Sequence, residues 1–245
     1  MRLTRCYVAD VLTIGLRTTL PSPVSHHLLR VLRLGVGDHC SVFNGDGRDY
    51  QARIVQISKK GLADVELIAA KQVDNESSLE LILVQGLTRG QKMDWIVQKA
   101  VELGVNAILS IMTDRSEMRL DDKRCEKRMA HWRGVLISAC EQSGRACLPT
   151  IAAVGALSQL SAHLPASATL VQLDPNATQP LRCLPQMAGA TVVLAVGPEG
   201  GWATHDCHQL NALGFVPYRL GPRVLRAETA GIAAIAALQA VIGDL

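Results

Sequence analysis

The sequence VVLAVGPEGGW at Val192–Trp202, followed by LGPRVLRAETA at Leu220–Ala230, decides the fold of this chain. Two apolar runs, 192–196 and 215–220, each end in a Gly-Pro turn, and the second leads into an apolar helix that begins near Glu228. Glycine lets the main chain approach a ligand closely, so a pair of strand-ending turns is suited to holding a small molecule. These turns therefore predict a binding site at the ends of two strands.

Strands and helices are predicted to alternate from Leu79 onward, which indicates an α/β domain. The run LELILVQGL at 79–87 is almost entirely apolar, as is typical of a parallel strand covered on both faces. Further strands are predicted at 106–112, 169–173, 191–196 and 216–220, and helices at 91–104, 121–143, 204–213 and 228–242. The last helix is apolar all round, so it needs cover on more than one side.

The first 70 residues predict a separate β-rich unit, with strands at 6–8, 39–43, 53–57 and 63–67 between turn signals. One helix is expected after Ser25, a good N-cap residue, with Arg30 and Arg33 sharing its polar face. Polar residues at 72–78 separate this unit from the α/β region. We therefore predict two domains, residues 1–72 and 73–245.

Composition excludes several classes of protein. No run of about eighteen apolar residues predicts a membrane helix, and the N-terminus lacks the pattern of a signal peptide, so an unexported, cytoplasmic protein is expected. The seven cysteines are scattered without a CxxC pair, which favours reduced thiols and no metal. Phosphate-loop, GxGxxG, HExxH and GxSxG motifs are absent. The net charge of +3 comes entirely from residues 1–70, which hold nine Lys and Arg against six Asp and Glu.

Two arginines lie in the loop that follows the second turn. Arg223 and Arg226 precede Glu228 and Thr229, which could cap the N–H groups of the last helix. Arginines held between a glycine turn and a helix start are suited to stabilising negative charge.

The motifs VGPEGGW and LGPRVLRAETA resemble the second and third signatures of the SPOUT class of methyltransferases, specifically the RsmE family, which methylates N3 of a uridine in 16S ribosomal RNA. The segments RCYV, HHLLRVLRLGVGD, FNGDG, KMDWIVQKAVELGV, DRSE and ACEQSGR resemble that family in order and spacing. Trp202 departs from the usual Phe, and Ala227 stands where a hydroxyl is frequent.

The resemblance implies an α/β domain with a trefoil knot, preceded by a PUA-like RNA-binding β-barrel, and a homodimer that acts on the small ribosomal subunit. S-adenosylmethionine would be held bent in the knot by backbone of the loops after the strands. The residues expected to bind this cofactor are Leu173, Val196, Gly197, Pro198, Glu199, Gly200, Leu220, Gly221, Val224, Leu225 and Thr229.

The expected catalytic residues are Arg226 and, second to it, Arg223, which would stabilise charge on the uracil carbonyl oxygens. Glu199 or Glu228 could act as a base, but structural roles are favoured for both. RNA contacts are expected from Arg5, Arg30, Arg33, Lys92, Arg115 and Arg119. Two alternatives stay open: a SPOUT enzyme with another RNA substrate, and a non-catalytic RNA-binding assembly factor.

Overall fold

A computed structural model describes residues 3–116, 122–185 and 191–245. The chain divides into two compact units. The N-terminal unit comprises residues up to 76 together with 140–148, and the C-terminal unit comprises 77–139 and 149–245. The division falls four residues after the predicted boundary at 72, and the return of 140–148 to the N-terminal unit was not predicted.

The N-terminal unit is built on a five-stranded sheet in the order β1-β3-β4-β5-β2. Its strands are β1 (Arg5–Tyr7), β2 (Arg17–Thr19), β3 (His39–Phe43), β4 (Arg48–Ile57) and β5 (Ala63–Gln72). The β1–β3 pair is parallel and the other pairs are antiparallel. Along β4, Tyr50, Ala52 and Ile54 alternate onto the buried face, as a strand with one covered face requires. β4 and β5 are longer than predicted, and β2 was missed.

The predicted helix of this unit begins earlier than expected. Helix α1 (Ser22–His26) has Pro21 as its N-cap and is continued by a π-helical turn, His27–Val31. The assignment of Ser25 as N-cap is wrong, because this side chain is buried and its hydroxyl donates to the Leu20 carbonyl and accepts from the Ala63 N–H. The buried hydroxyl therefore ties α1 to the edge of β5.

The segment 140–148 is held in the N-terminal unit by a buried arginine. Arg5 pairs with Asp49 at 2.7 Å and donates to the backbone carbonyls of Cys140 at 2.7 Å and Arg145 at 3.1 Å. Arg145 in turn pairs with Glu76. Only 5% of the Arg5 side chain is exposed, so its charge is compensated within the fold.

The C-terminal unit contains a six-stranded, wholly parallel sheet in the order β11-β9-β10-β6-β7-β8. Its strands are β6 (Glu80–Gly86), β7 (Ala107–Met112), β8 (Thr150–Ala156), β9 (Thr169–Leu173), β10 (Thr191–Val196) and β11 (Val216–Tyr218). The central strands β6 and β10 are buried on both faces, which explains their uninterrupted apolar runs. The edge strand β8 was missed.

This unit also contains the α-helices α2 (Lys92–Glu102), α3 (Asp122–Ser143, whose last residues belong to the N-terminal unit), α4 (Thr204–Ala212) and α5 (Ala227–Ile242). Two short 3₁₀ helices lie at Leu157–His163 and Leu181–Cys183. Helix α5 packs on α2, and buried Gln239 joins them by donating to the Leu103 carbonyl at 2.8 Å and accepting from the Ser77 hydroxyl at 2.7 Å. No helix in the described ranges is long and apolar enough to cross a membrane. The trefoil knot stays a prediction.

Candidate active site

A cavity of about 800 Å³ opens at the carboxyl ends of β9 and β10. Parallel strands present their carboxyl ends at one edge of the sheet, and ligands of α/β proteins bind in crevices at this edge. Three loops line the cavity: Leu173–Asn176 after β9, Val196–Trp202 after β10, and Leu220–Ala227 before α5. The segments that contain the two Gly-Pro turns, separated by about twenty residues in sequence, therefore contribute to one site, although Gly221 and Pro222 themselves do not line it.

Two glycines of the loop after β10, Gly197 and Gly200, are packed so closely that a side chain has little room. A Cβ on Gly197 would lie 3.3 Å from the Gly201 backbone and 3.3 Å from the Trp202 ring, and one on Gly200 would lie 3.0 Å from Cβ of Arg115. Gly201 has φ of +66°, which favours glycine. The absence of side chains leaves the backbone of this loop facing the cavity.

Gly86, the last residue of β6, supports the same loop from beneath. A Cβ at this position would lie 2.6 Å from Cδ and 2.7 Å from N of Pro198. The side chain of the neighbouring Gln85 is fully buried, and its Nε2 donates to the Gly86 carbonyl at 2.9 Å. The Gly197–Pro198 turn thus rests directly on the end of the central strand.

Glu199 is a brace for this loop. Its Oε1 accepts from Lys92 Nζ at 3.0 Å and from the backbone N–H of Arg89 at 3.1 Å. Burial acts to raise the pKa of Glu199, but hydrogen bonds from its own backbone N–H, from Lys92 and from Arg89 outweigh it and leave the pKa below its ordinary value. Glu199 is therefore a carboxylate at neutral pH and holds the loop against α2.

Two further contacts fix the loop and the start of α4. Arg115 Nη1 donates to the Gly200 carbonyl at 3.0 Å. Asp206 is buried and accepts from the backbone N–H groups of Ala203 and Asp114, at 2.9 and 3.3 Å. These contacts occupy Asp206 and one nitrogen of Arg115 in positioning backbone.

Arg223 and Arg226 both line the cavity and are exposed. Neither guanidinium has a hydrogen bond or ion pair with any residue that the structure describes, in contrast to Lys92 and Arg115. Arg226 is also the N-cap residue of α5, with an extended backbone, and its carbonyl accepts from the Ala230 N–H at 2.8 Å. Both guanidinium groups therefore lie beside the cavity, near the start of α5, and are available to a bound anion.

The cavity brings together most of the residues predicted to bind a cofactor, but not all of them. Thr229 is exposed on α5, does not line the cavity and is not the N-cap residue of the helix. Gly221 lines a different cavity, of about 390 Å³, beside the C-terminal end of α5. Glu228 also lies outside the lining, with a buried Oε2 that has no partner among the described residues.

The predicted RNA contacts separate into four groups. Lys92 and Arg115 line the cavity. Arg30 and Arg33 are exposed on the N-terminal unit, where Arg33 has a left-handed φ of 58°. The assignment of Arg5 is wrong, because its buried guanidinium is already bound to Asp49 and to backbone. Arg119 lies outside the described residues.

Several lining residues were not predicted individually. They come from the loops after β9 and β10 and from helices α4 and α5, and comprise Asp174, Pro175, Asn176, Gly201, Trp202, Thr204, Cys207, His208, Ala227 and Ala230. The resemblance pointed to the loop after Leu173 as a whole. No sequence pattern indicated which face of α4 meets the cavity, because this short helix has a weak apolar stripe.

The ribosomal RNA small subunit methyltransferase E of Buchnera aphidicola subsp. Schizaphis graminum is 33% identical to this chain over 245 residues, which cover 100% of this chain and 98% of the relative. The chain belongs to this methyltransferase family. The RNA methyltransferase domain family matches residues 75–239, and the RNA methyltransferase PUA domain family matches residues 20–66. The family predicted from the sequence motifs is confirmed.

Solved structures agree with this assignment. The methyltransferase E of Neisseria gonorrhoeae, bound to S-adenosylmethionine, is 36% identical with a TM-score of 0.90 over 100% of both chains. A methyltransferase of Legionella pneumophila in complex with the same cofactor is 34% identical with a TM-score of 0.93, again over 100% of both chains. The predicted fold class, a PUA-like domain followed by a SPOUT α/β domain, is confirmed.

Proposed function

We propose that this protein transfers a methyl group from S-adenosylmethionine to N3 of a uridine in 16S ribosomal RNA. The observation that carries the proposal is a backbone-lined cavity, in a chain of the methyltransferase E family, with two arginines at its edge that have no partner among the described residues. The backbone turns would hold the cofactor and the arginines would face the reacting base.

The residues present fit S-adenosylmethionine. The cavity volume of about 800 Å³ is in the range of sites for ligands of this size. Its glycine turns expose N–H and carbonyl groups that can bind an adenine edge and ribose hydroxyls, while Leu173, Val196 and Leu225 supply apolar surface. When bound, the cofactor supplies an electrophilic methyl group on a sulfonium.

The chemistry at N3 requires a group that stabilises negative charge. N3 of uracil carries a proton and is a poor nucleophile until this proton leaves, so charge develops on the neighbouring carbonyl oxygens. A guanidinium is always protonated and acts here electrostatically, with Arg226 as the first candidate and Arg223 as the second. Both side chains lack partners within the described ranges, so binding a uracil anion would cost no existing ion pair.

Glu199 is a poor candidate for the group that takes the proton. It is a carboxylate, but its Oε1 is held by Lys92 and the Arg89 N–H, so its work is to fix the glycine loop. Glu228 lies outside the cavity lining. We therefore assign neither acid to proton transfer.

RNA binding would use basic residues of both units. A base reacts at N3 only when it is unpaired, so the enzyme must hold a single-stranded or flipped-out nucleotide by contacts to the phosphates around it. We propose Arg30 and Arg33 for this role in the N-terminal unit, with Lys92, Arg115 and Arg119 in the C-terminal unit. Lys92 and Arg115 would both contact RNA phosphates and brace the loop after β10.

We also propose that the protein is a homodimer in the cytoplasm, where small ribosomal subunits are its substrate. The support is helix α5, which is apolar all round and leaves Val241 49% exposed. Beside it lies the apolar cavity of about 390 Å³, whose lining includes Leu184, Leu238 and Ile242. Light scattering coupled to gel filtration would distinguish a monomer from a dimer.

The decisive experiment maps the methylated nucleotide. The protein is incubated with labelled S-adenosylmethionine and small ribosomal subunits that lack the modification, and the product is located by digestion and mass spectrometry. Methylation at uridine N3 is expected. Methylation of another RNA or of a ribose hydroxyl would favour the rival substrate, whereas RNA binding with no heat of cofactor binding would indicate a non-catalytic assembly factor.

The arginines are tested under single-turnover conditions. Arg226→Ala should lower the rate by about 10²-fold or more, as the loss of one charge-stabilising donor does elsewhere, with a smaller loss for Arg223→Ala. Arg133→Ala, an exposed arginine on α3 in the same unit, is the control and should keep the wild-type rate. Wild-type rates in both Arg226→Ala and Arg223→Ala would refute the assignment.

Charge reversal tests the RNA surface. The double change Arg30→Glu and Arg33→Glu should weaken RNA binding and reduce the slope of log K against log salt by about 1.4–1.8, since each lost phosphate contact removes about 0.7–0.9. Lys59→Glu with Lys60→Glu, two exposed residues between β4 and β5, is the matched control. Cofactor affinity should stay unchanged in both; an equal loss of it would indicate misfolding.

A further inference from the structure

Trp202 lies where two strands of the sheet separate to form the cofactor cavity. The pairing of β9 with β10 ends at Gln172 and Ala195, so Leu173 has no backbone partner on the β10 side. It pairs only with Tyr218 of β11 on its other side. The carbonyl oxygen of Leu173 instead accepts the indole N–H of Trp202 at 3.0 Å. The indole thus replaces a ladder hydrogen bond at the point where the strands part.

The same indole also contacts the glycine loop. Its Cε2 lies 3.3 Å from the position that a Cβ on Gly197 would occupy, and the ring packs on the hydrophobic core beneath the sheet. Trp202 follows Gly201, whose N–H donates to the Pro198 carbonyl at 2.9 Å and closes the turn. One side chain therefore touches the turn after β10, the end of β9 and the cavity.

We propose that Trp202 is a positioning residue for the cofactor: by bridging Leu173 and the Gly197 turn, it fixes the distance between the two loops that bind the ligand. The loop after β9 is then anchored on both sides, by Trp202 at the Leu173 carbonyl and by the Tyr218 carbonyl, which accepts from the Asp174 N–H at 2.9 Å. A carbonyl oxygen has two lone pairs, so Leu173 can accept from the indole and from a ligand donor together.

The substitution Trp202→Phe removes the indole N–H and keeps an aromatic ring. One neutral hydrogen bond corresponds to about a threefold to tenfold change in an equilibrium constant, so the Kd and the KM for S-adenosylmethionine should rise by this factor. The kcat at saturating cofactor should stay within about twofold, because the reacting groups are untouched. Amide hydrogen exchange at 174–177 should become faster.

Trp132→Phe is the matched control. Trp132 is fully buried, and its indole N–H donates to Asp94 Oδ1 at 3.2 Å, away from the cavity. Its replacement should lower Tm and leave the cofactor Kd within about twofold. A Trp202→Phe protein with wild-type Kd, or equal changes of Kd in the two variants, would overturn the proposal.

A fluorescence measurement covers the case in which Trp202→Phe does not fold. The chain has three tryptophans, so Trp95→Phe with Trp132→Phe leaves Trp202 as the sole emitter. Addition of S-adenosylmethionine should change the emission of Trp202, and the change should saturate with the Kd measured by calorimetry. Unchanged emission together with calorimetric binding would refute contact between Trp202 and the site. The proposal for Trp202 rests on the proposed function with S-adenosylmethionine as cofactor. If the wild-type protein gave no heat of binding with S-adenosylmethionine, that result would instead reject the cofactor.

Discussion

Replacing Gly86 by alanine should displace the loop after β10, although Gly86 itself does not line the cavity. The added Cβ would lie 2.6 and 2.7 Å from Cδ and N of Pro198, whereas carbon atoms in contact are separated by about 3.5–4.0 Å. Pro198 Cδ and N belong to a ring within the backbone, so no side-chain rotation relieves the overlap. The end of β6 or the turn must move by about 1 Å.

Two measurements follow from this displacement. Overpacking of this kind costs about 1–3 kcal/mol, and each kcal/mol lowers Tm by about 2–4 °C in a chain of this size. Cofactor affinity, measured by calorimetry, should fall by about tenfold or more, and methyl transfer by up to about 10²-fold, because displacements near 1 Å have large kinetic effects.

Gly134→Ala provides the control for the Gly86 substitution. Gly134 lies within α3, is exposed, and has no atom within 4 Å of its built Cβ, so alanine should raise Tm slightly by its better helix propensity. The reasoning would fail if the Gly86→Ala and Gly134→Ala proteins had the same Tm and the same affinity for S-adenosylmethionine.

Three further predictions concern charge and burial. Because the pKa of Glu199 is lowered in the folded protein, its contribution to stability is present above pH 4.5 and is lost as the pH falls through the folded pKa. The Tm of the wild type should therefore fall more steeply below about pH 4.5 than the Tm of Glu199→Gln. Parallel curves of Tm against pH for the two proteins would contradict the role of Glu199 as a brace. Iodoacetamide at pH 8 should label exposed Cys183 long before Cys6, since burial raises the pKa of Cys6 to about 12. Peptide mass spectrometry of the labelled native protein gives the order of labelling, and the reverse order would show that the Cys6 thiol is accessible. Arg5→Ala should lower stability in urea by about 3–5 kcal/mol, while Arg17→Ala, which removes an exposed ion pair, should cost less than about 1 kcal/mol; similar losses for both would show that Arg5 is not structurally special.

The central strands could be predicted from the sequence because burial on both faces leaves a plain signal. The strands β3, β9 and β10 have the predicted bounds, 39–43, 169–173 and 191–196. By contrast, β8 lies at the sheet edge and is only partly buried, and its short apolar run at 151–154 ends at Gly155, which has a φ of +84°. Strand β2, with three residues and little burial, carries no period at all.

The site was predictable in its backbone but not in its supporting contacts. Glycine turns at strand ends are local features, so Gly197 and Gly200 could be placed at the cavity from the sequence and its family resemblance. The brace between Glu199 and Lys92 joins residues 107 positions apart, and no periodicity encodes such a pairing. The error at Arg5 has the same origin, because its partners in 140–148 reach it only through the fold.

The return of residues 140–148 to the N-terminal unit has a consequence for the order in which the protein can mature during synthesis. A fragment ending at residue 76 contains Arg5 and Asp49 but lacks the backbone carbonyls of Cys140 and Arg145, so two of the hydrogen bonds of a buried guanidinium are missing. Glu76 likewise waits for Arg145. The unit that begins the chain therefore cannot be completed until residue 148 has left the ribosome, by which time more than half of the polypeptide has been made.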